Sequence, residues 1–189
     1  CYLGLDMANK IDLAALVGVF PDDDGTFDLR AWFWMPSEGL ADKERRDRAS
    51  YRAWADAGHL NLCDGGEIDY GAVKNKILWC RDEFDVRGLG GDPWNVKQLL
   101  QELQEEEGMA VVEVRQGFAS LSAPTKIVEG LLASKKLRHG NDPLLGWCFS
   151  NAVCQRDDNE NIRLNKRKSR QKIGGAGATV NGFAAYDHA

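Results

Sequence analysis

The sequence predicts an α/β fold built on a mixed β-sheet, in which an antiparallel meander is followed by parallel strands. Three observations support this class. Apolar strand-like segments come first, at residues 2–6, 13–20 and 27–35, and short turns join them. Helical patterns then alternate with short apolar segments, and a helical pattern from about residue 174 closes the chain. That order is typical of a sheet flanked by helices.

The first three segments are predicted to form the meander because their connections are short. The second connection, PDDDG at residues 21–25, combines proline, acids and glycine in a strong turn signal. The third segment, FDLRAWFWM, is rich in aromatic residues and alternates in part, as expected of a strand. Successive strands with turns of this length pair in antiparallel fashion.

Helices and short strands are predicted to alternate through the middle of the chain. The helix at 92–108 has the clearest boundaries, with Asp92 as N-cap, Pro93 at the first helical position and Gly108 after the end. The other predicted helices are 41–58, 68–84 and 124–134. The predicted strands between them are 59–63, 86–91 and 109–114. Alternation of this kind favours parallel strands joined by helical crossovers.

The closing helix is predicted to be a poor one. Gly174, Gly175, Gly177 and Gly182 all lie within it. Each interior glycine costs up to about 1 kcal/mol relative to alanine. We therefore expect this helix to be short or frayed at its N-terminal end.

Composition and charge limit which kinds of molecule the chain is expected to bind. The net charge of −5 argues against a uniformly basic nucleic-acid binder, but residues 163–172 (RLNKRKSRQK) hold six basic residues and no acid. Such a stretch indicates either a contact for a polyanion or a solvated surface. No apolar run approaches the roughly 20 residues that span a bilayer, so no membrane association is expected. The five cysteines and three histidines show no metal-ligand spacing.

Two carboxylates follow predicted strands directly. Asp6 ends the first apolar segment, and Asp92 ends the segment GLGG. Each has an ordinary explanation, as a turn residue or an N-cap. Together they would meet where ligands gather, outside the ends of adjacent strands. Hard cations such as Mg²⁺ take oxygen ligands, and a pair of ions can clamp a phosphodiester during hydrolysis.

Six segments carry a resemblance to a known family. They are GLDMANKIDLAALVGVF, FWMPSEGLADKERRDRASYRAWADAGHLNLCDGGEIDY, GGDPWN, VEVRQGFASLSAPTKIVEGLL, LRHGNDPLLGWCFSNAV and NIRLNKRKSRQKI, and they cover nearly the whole chain. In this order they resemble the nuclease domain of the large terminase subunit of tailed bacteriophages, in the HK97-like branch. The resemblance implies an RNase H-like fold and a metal-dependent endonuclease that cuts concatemeric phage DNA during packaging.

The resemblance also implies a domain organisation. The intact subunit carries an N-terminal packaging ATPase, whereas this chain has neither a Walker motif nor an initiator methionine. Residues 1–189 are therefore expected to be a single nuclease domain, the C-terminal part of a longer terminase without its ATPase domain.

The resemblance assigns metal ligands residue by residue. Asp6 matches the first ligand and Asp92 the second, for Mg²⁺ or Mn²⁺, with two ions in an intact site. The third acid of the family lies in a K-I-D-G motif, and this chain reads K-I-G-G, with Gly174 in place of the aspartate. The change is either a natural loss, as in a decaying prophage, or an engineered inactivation. In both cases activity is expected to be weak or absent.

Other acids of the chain are candidates to replace the third ligand. Asp12 begins the second strand and is the nearest spare carboxylate, although strand pairing or solvation is the simpler role. Asp187 lies 13 residues beyond Gly174, roughly 20 Å along a continuous helix. Asp157 and Asp158 are expected in a hairpin turn, and Asp69 at the start of a helix.

The sequence alone leaves three possible functions open. The first is a DNA endonuclease in which Lys166, Lys168 and Arg170 hold double-stranded DNA or stabilise developing charge. The second is a DNA-binding module without chemistry. The third is a docking domain for the packaging motor, which exposed aromatics among Trp32, Trp34, Trp54 and Trp94 would favour. The resemblance names the ATPase domain, the small terminase subunit and the portal as partners, in the cytoplasm of the host bacterium.

Overall fold

A computed structural model describes residues 1–7, 9–169 and 171–189. The strands are β1 (Tyr2–Met7), β2 (Ala14–Pro21), β3 (Phe27–Pro36), β4 (Asn61–Cys63), β5 (Gly88–Gly91), β6 (Val111–Glu113), β7 (Leu137–Arg138), β8 (Cys154–Arg156) and β9 (Ile162–Leu164). The helices are α1 (Leu40–Asp47), α2 (Tyr51–Asp56), α3 (Tyr70–Glu83), α4 (Pro93–Glu105), α5 (Phe118–Ala133), α6 (Pro143–Asn151) and α7 (Gly174–Asp187).

The main sheet has the strand order β4-β3-β2-β1-β5-β6, and β7 pairs with a second stretch of β3. Strands β1, β2 and β3 form an antiparallel meander. The remaining pairs in this sheet, β1 with β5, β5 with β6, and β3 with β4 and β7, are parallel. Strands β8 and β9 form a separate antiparallel hairpin. The predicted mixed sheet, with its meander followed by parallel strands, is confirmed.

Each face of the sheet carries its own apolar core, as the alternation of β2 illustrates. Ala15 and Val17 face the core shared with α5, α6 and α7. Ala14 and Leu16 face the core shared with α3 and α4. Because successive side chains of a strand point to opposite faces, a nearly continuous apolar strand is buried on both sides. The result is a sheet between two helical layers.

Helix α7 corrects one prediction. It runs from Gly174 to Asp187, and residues 175–185 are buried, so it is neither short nor frayed where the glycines lie. The reason is that the glycines allow close packing against the sheet. A Cβ atom at Gly182 would lie 2.8 Å from a methyl group of Val19, and one at Gly4 would overlap the backbone of α7. Tertiary packing therefore outweighs the low helix propensity of glycine.

Two helix boundaries also differ from the predictions. The segment predicted as one helix over 41–58 is two helices, separated near Arg48, whose φ is 49°. Helix α5 begins at Phe118, six residues before the predicted start at Pro124, which is buried inside it. Leu121 is buried in the same stretch, so burial against the core outweighs the hydrogen bond that proline removes.

Within the part of the chain that the structure describes, no helix combines the length and apolar character needed to cross a bilayer.

Candidate metal centre

The sheet brings Asp6 and Asp92 to equivalent positions on adjacent parallel strands. The register of β1 and β5 pairs Leu5 with Gly91, and each aspartate is the next residue along its strand direction. Neighbouring strands lie about 4.8 Å apart. Both aspartates are buried, with 4% and 7% of their surface exposed. The two aspartate residues that the sequence singles out therefore lie on neighbouring chain segments at one end of the sheet.

Asp6 is held between the basic stretch and the closing helix. The ammonium group of Lys166 donates a hydrogen bond to its Oδ1 at 2.7 Å. On the other side lies Gly177 of α7, where a Cβ atom would overlap the Asp6 carboxylate. The glycine therefore leaves the space that the carboxylate fills. Because a buried carboxylate is costly without a partner, Lys166 compensates the charge of Asp6 in the free protein.

Asp92 has two roles in the structure. Its Oδ1 accepts a hydrogen bond from the backbone N–H of Trp94 at 3.0 Å, which makes it the N-cap of α4. The side-chain amide of Asn95 lies 3.4 Å from its Oδ2. The predicted N-cap is thus confirmed, and the same side chain also lines an open groove. A carboxylate retains lone pairs for a cation after accepting these bonds.

Gly174 lies on the wall of a cavity of about 310 Å³ that also contains Asp6. We call this the carboxylate cavity; its charged members are Asp6, Asp12, Asp47, Lys166 and Lys172. A Cβ atom at Gly174 would lie 3.6 Å from the Leu13 carbonyl oxygen and 3.8 Å from the Ala15 Cβ. These are ordinary contacts, so the backbone leaves room for a side chain at residue 174.

Asp12 and Asp47 both face Lys172 in the carboxylate cavity. Lys172 forms an ion pair with Asp12, and its ammonium lies 4.0 Å from Asp47. Burial opposes ionisation of Asp47, but hydrogen bonds from Arg46 and Tyr51 and the charge of Lys172 outweigh it, so its pKa is lowered. Burial, followed by the charge of Asp47, raises the pKa of the Tyr51 hydroxyl. Asp47 therefore stays ionised at neutral pH.

Sequence reasoning did not find Asp47. Its surroundings, ADKERRDRAS, read as the charged face of a helix. The available signal was its spacing four residues before Tyr51, whose hydroxyl donates to it at 2.9 Å. Asp47 ends α1 and Tyr51 begins α2, so the contact spans the break between the two helices.

A second open space adjoins the carboxylate cavity. This groove, of about 1240 Å³, extends from Asp92 to the basic stretch. We call it the basic groove; its basic members are Lys97, Arg115, Arg163, Lys166, Arg167 and Lys168. Lys166 belongs to both spaces. The structure thus places the predicted Lys166 and Lys168 beside the carboxylates, while Arg170 lies outside the described residues.

Lys97 and Arg115 were missed because they come from other parts of the chain. Lys97 belongs to α4, and Arg115 follows β6. Neither lies in a basic run, so only the fold brings them to the groove.

The donor set fits a divalent cation in part. Asp6 and Asp92 supply the carboxylate oxygens that Mg²⁺ and Mn²⁺ prefer, and Mg²⁺ commonly keeps several waters beside one or two carboxylates. Among the described residues, however, no group of three or more Asp, Glu, His and Cys side chains is placed to hold a metal ion. The residues present therefore suit one ion with two protein ligands rather than a fully ligated pair of ions.

The other candidate replacement acids have roles in capping and turn structure or lie far from Gly174. Asp69 caps α3 and accepts a hydrogen bond from the Gly71 N–H at 2.8 Å. Asp157 accepts from the backbone N–H groups of Asn159 and Asn161 in the hairpin turn. Asp187 ends α7, at the opposite end of the helix from Gly174.

Comparison with known proteins identifies relatives along the whole chain. The family model described as "Terminase large subunit, endonuclease domain" matches residues 1–188. The large terminase subunit of Enterobacteria phage HK97 is 33% identical over 175 residues, which are 92% of this chain and 35% of that protein. Protein YmfN of Escherichia coli K12 is 24% identical over 190 residues, covering 95% of this chain and 42% of YmfN. The chain thus spans well under half the length of either relative.

Solved structures support the same assignment. The crystal structure of the HK97 large terminase matches 97% of this chain with a TM-score of 0.88 and 32% identity, over 38% of that protein. The large terminase nuclease of the thermophilic phage G20c with bound magnesium matches 97% of this chain and 79% of its own length. Its TM-score is 0.51 and its identity 14%, so this second match supports the fold alone. The chain therefore belongs to the endonuclease-domain family of the terminase large subunit, and it has the RNase H-like fold of that family.

Proposed function

We propose that this chain is a Mg²⁺- or Mn²⁺-dependent DNA endonuclease domain that cuts concatemeric phage DNA during packaging, and that Gly174 weakens its catalysis. The observation that carries the proposal is that Asp6 and Asp92 directly follow Leu5 and Gly91, the last paired residues of the parallel strands β1 and β5. Gly174 lies on the wall of the same cavity as Asp6, and the basic groove opens beside Asp92.

Each group has a role in this proposal. Asp6 and Asp92 hold the cation through carboxylate oxygens. When bound, the cation lowers the pKa of a ligated water and stabilises charge on the phosphate. Lys168 contacts DNA phosphates from the basic groove. Lys166 neutralises Asp6 in the free protein, and its ammonium can turn to a phosphate once a cation takes over that task. Magnesium bound to the G20c nuclease supports the choice of ion.

Gly174 explains the expected loss of activity. The family aspartate at this position would add a third carboxylate at the start of α7. There it would also be stabilised by the partial positive charge of the helix N-terminus. Its absence leaves two protein carboxylates to hold the metal, so at least one of the two ions should bind weakly.

The test is to restore the carboxylate. We compare the chain with Gly174→Asp, with Gly174→Asn as an uncharged control of the same shape, and with Gly174→Asp combined with Asp6→Asn. The assays are nicking of supercoiled plasmid in Mg²⁺ or Mn²⁺, with EDTA as a control, and calorimetric titration of each metal. Only Gly174→Asp should gain cleavage and tighter metal binding. Equal gains with Gly174→Asn, or EDTA-sensitive cleavage by the unsubstituted chain, would contradict the role given to residue 174.

A second candidate function is a catalytically inactive module that binds DNA or docks on the packaging motor. The Lys166–Asp6 ion pair favours it, because the chain's own cation already neutralises the carboxylate. Salt-sensitive DNA binding, without cleavage by any of the variants, would support this candidate.

The wider setting is also a proposal. Residues 1–189 act as a single nuclease domain in the C-terminal part of a longer terminase, in the cytoplasm of the host bacterium. Its partners are double-stranded DNA, the terminase ATPase domain, the small terminase subunit and the portal. The family membership of the chain supports this setting.

A further inference from the structure

Trp94 differs from the other aromatic side chains because 91% of its surface is exposed. Trp34, by contrast, is buried at 3% exposure. Trp54 and Trp147 pack against each other with their ring centroids 5.4 Å apart. A tryptophan ring that makes so little contact with its own protein forgoes most of the stabilisation that burial would supply. Its exposure therefore suggests a role outside the core.

The backbone holds Trp94 next to a proposed metal ligand. Its N–H donates to the Asp92 carboxylate at 3.0 Å. The first turn of α4, which carries the tryptophan, is separated from the rest of the helix by a kink at Val96, whose φ and ψ are −130° and 26°. The indole therefore projects from a short turn fixed by Asp92, at the end of the sheet where Asp6 also lies.

The surroundings of the ring are cationic although the chain as a whole is acidic. Trp94 lines the basic groove, which has six basic side chains and only two acidic ones, Asp92 and Glu113. The net charge of the whole chain is −5. One of the six, Arg163, is oriented by a hydrogen bond from its guanidinium to the Gln116 carbonyl at 2.6 Å and by packing on the ring of Phe118. The groove thus combines positive charge with an exposed aromatic face.

We propose that the basic groove binds a single-stranded segment of DNA, with Trp94 stacked on an unpaired base next to Asp92. Binding to DNA phosphates alone would need only the lysine and arginine side chains of the groove, and no exposed aromatic ring. In an intact duplex each base is already stacked on its neighbours, so its face is closed to the ring. Grooves that pair cations with an exposed aromatic ring bind single strands through base stacking. The inference rests on the proposed function, since it adds that one strand of the double-stranded substrate is locally unpaired where it passes through the same site.

The experiment measures binding to single and double strands separately. Fluorescence anisotropy gives the Kd of this chain for an oligothymidylate of about 12 nucleotides, a length within the range that single-strand binding sites cover. A blunt duplex of the same length is measured beside it. The variants are Trp94→Ala, Trp94→Phe, which keeps an aromatic face, and Trp79→Phe as the matched control. Trp79 is 41% exposed but packs against Trp32 and Phe84, away from the groove.

Trp94→Ala is expected to weaken single-strand binding by roughly 5- to 150-fold, the factor that corresponds to one lost base stack. Its duplex affinity should change by less than about twofold, because phosphate contacts dominate there. Trp94→Phe should recover most of the loss, and Trp79→Phe should behave as the unsubstituted chain does.

Other outcomes would overturn the inference. Equal losses on single strand and duplex would mean that Trp94 only shapes the groove. Unchanged DNA binding would leave the exposed ring as an anchor for a protein partner. In both cases the proposed nuclease function would stand. If the unsubstituted chain bound neither form of DNA at low salt, the proposed function would fail, and this inference with it.

Discussion

Substituting Gly4 by alanine tests whether helix α7 lies directly on strand β1. A Cβ atom at Gly4 would overlap the carbonyl oxygen of Ala178 and would lie 2.8 Å from the Cα of Gly182. Both neighbours are main-chain atoms of α7, so rotation of a side chain cannot relieve the overlap. Because non-bonded heavy atoms make ordinary contacts at about 3.5 Å, the overlap with the Ala178 oxygen would force the helix to withdraw from the strand by more than about 1 Å.

The cost of that displacement can be estimated. A gap of about 0.5–1 Å forfeits a quarter to a half of the dispersion attraction between the surfaces it separates. Overpacked cores lose about 1–3 kcal/mol, and a contact between two backbones belongs at the upper end of that range. Alanine also has fewer backbone conformations than glycine in the unfolded chain, and this difference stabilises the folded protein by about 0.4–1 kcal/mol. We expect a net loss of about 2 kcal/mol in the free energy of unfolding, and a fall in Tm of about 4–8 °C.

The matched control is Gly88→Ala. Gly88 lies in the neighbouring parallel strand β5 and faces the same helix, but its added Cβ would lie 3.5 Å from the Ala185 Cβ, an ordinary contact. Its free energy of unfolding should stay within about 1 kcal/mol of the unsubstituted chain. Thermal and urea unfolding of both variants measure the difference. If Gly4→Ala were as stable as Gly88→Ala, α7 would not be packed closely on β1. The placement of Gly174 beside Asp6 would then lose its basis.

Two further predictions concern the carboxylates. Asp47→Asn should lower the free energy of unfolding by about 1–3 kcal/mol at pH 7, because a buried hydrogen-bonding carboxylate is lost. Folding lowers the pKa of Asp47 below its ordinary value of 3.8. The ionised carboxylate therefore makes its full contribution to the free energy of unfolding above pH 3.8, and this contribution is lost as the pH falls below that value. Urea unfolding at pH 7 and pH 3 should therefore show the variant's deficit shrinking in acid; a deficit independent of pH would exclude this account. Lys166→Met should destabilise the metal-free chain, because it leaves the buried Asp6 carboxylate unpaired. The same variant should show a larger rise in Tm when Mg²⁺ is added, because no ammonium group competes with the metal for that carboxylate. An unchanged rise, measured by thermal unfolding with and without Mg²⁺, would show that Lys166 does not compete with the metal.

The site shows which features local sequence could predict. Asp92 could be placed at a helix start because Asp-Pro is a strong local signal, and the structure confirms the cap. Asp6 could be paired with it because both end apolar strands, and the register of β1 and β5 puts them on neighbouring chain segments. Their role as metal ligands stays a prediction, supported by resemblance and by oxygen chemistry.

Other features depended on contacts between distant segments. Asp47 reads as a surface charge, but it is buried beside Tyr51, across the break between α1 and α2. Lys97 comes into the basic groove from a helix that shows no basic run. The six tryptophans look alike in sequence as packing residues, yet Trp94 is almost fully exposed.

Helix α7 shows most clearly the difference between what the sequence predicts and what only the tertiary structure decides. The sequence by itself predicted the antiparallel meander, the parallel strands that follow it and the carboxylates that follow strands, because these depend on local pattern. The loss of an acid at Gly174 stays a prediction from the matching motif. Only the tertiary structure decided that the glycine-rich segment is a regular, buried helix. The penalty of each glycine is local and can be read from the sequence. The compensating gain comes from close approach to β1 and β2, more than 150 residues earlier in the chain, where the absence of a Cβ atom becomes a packing requirement.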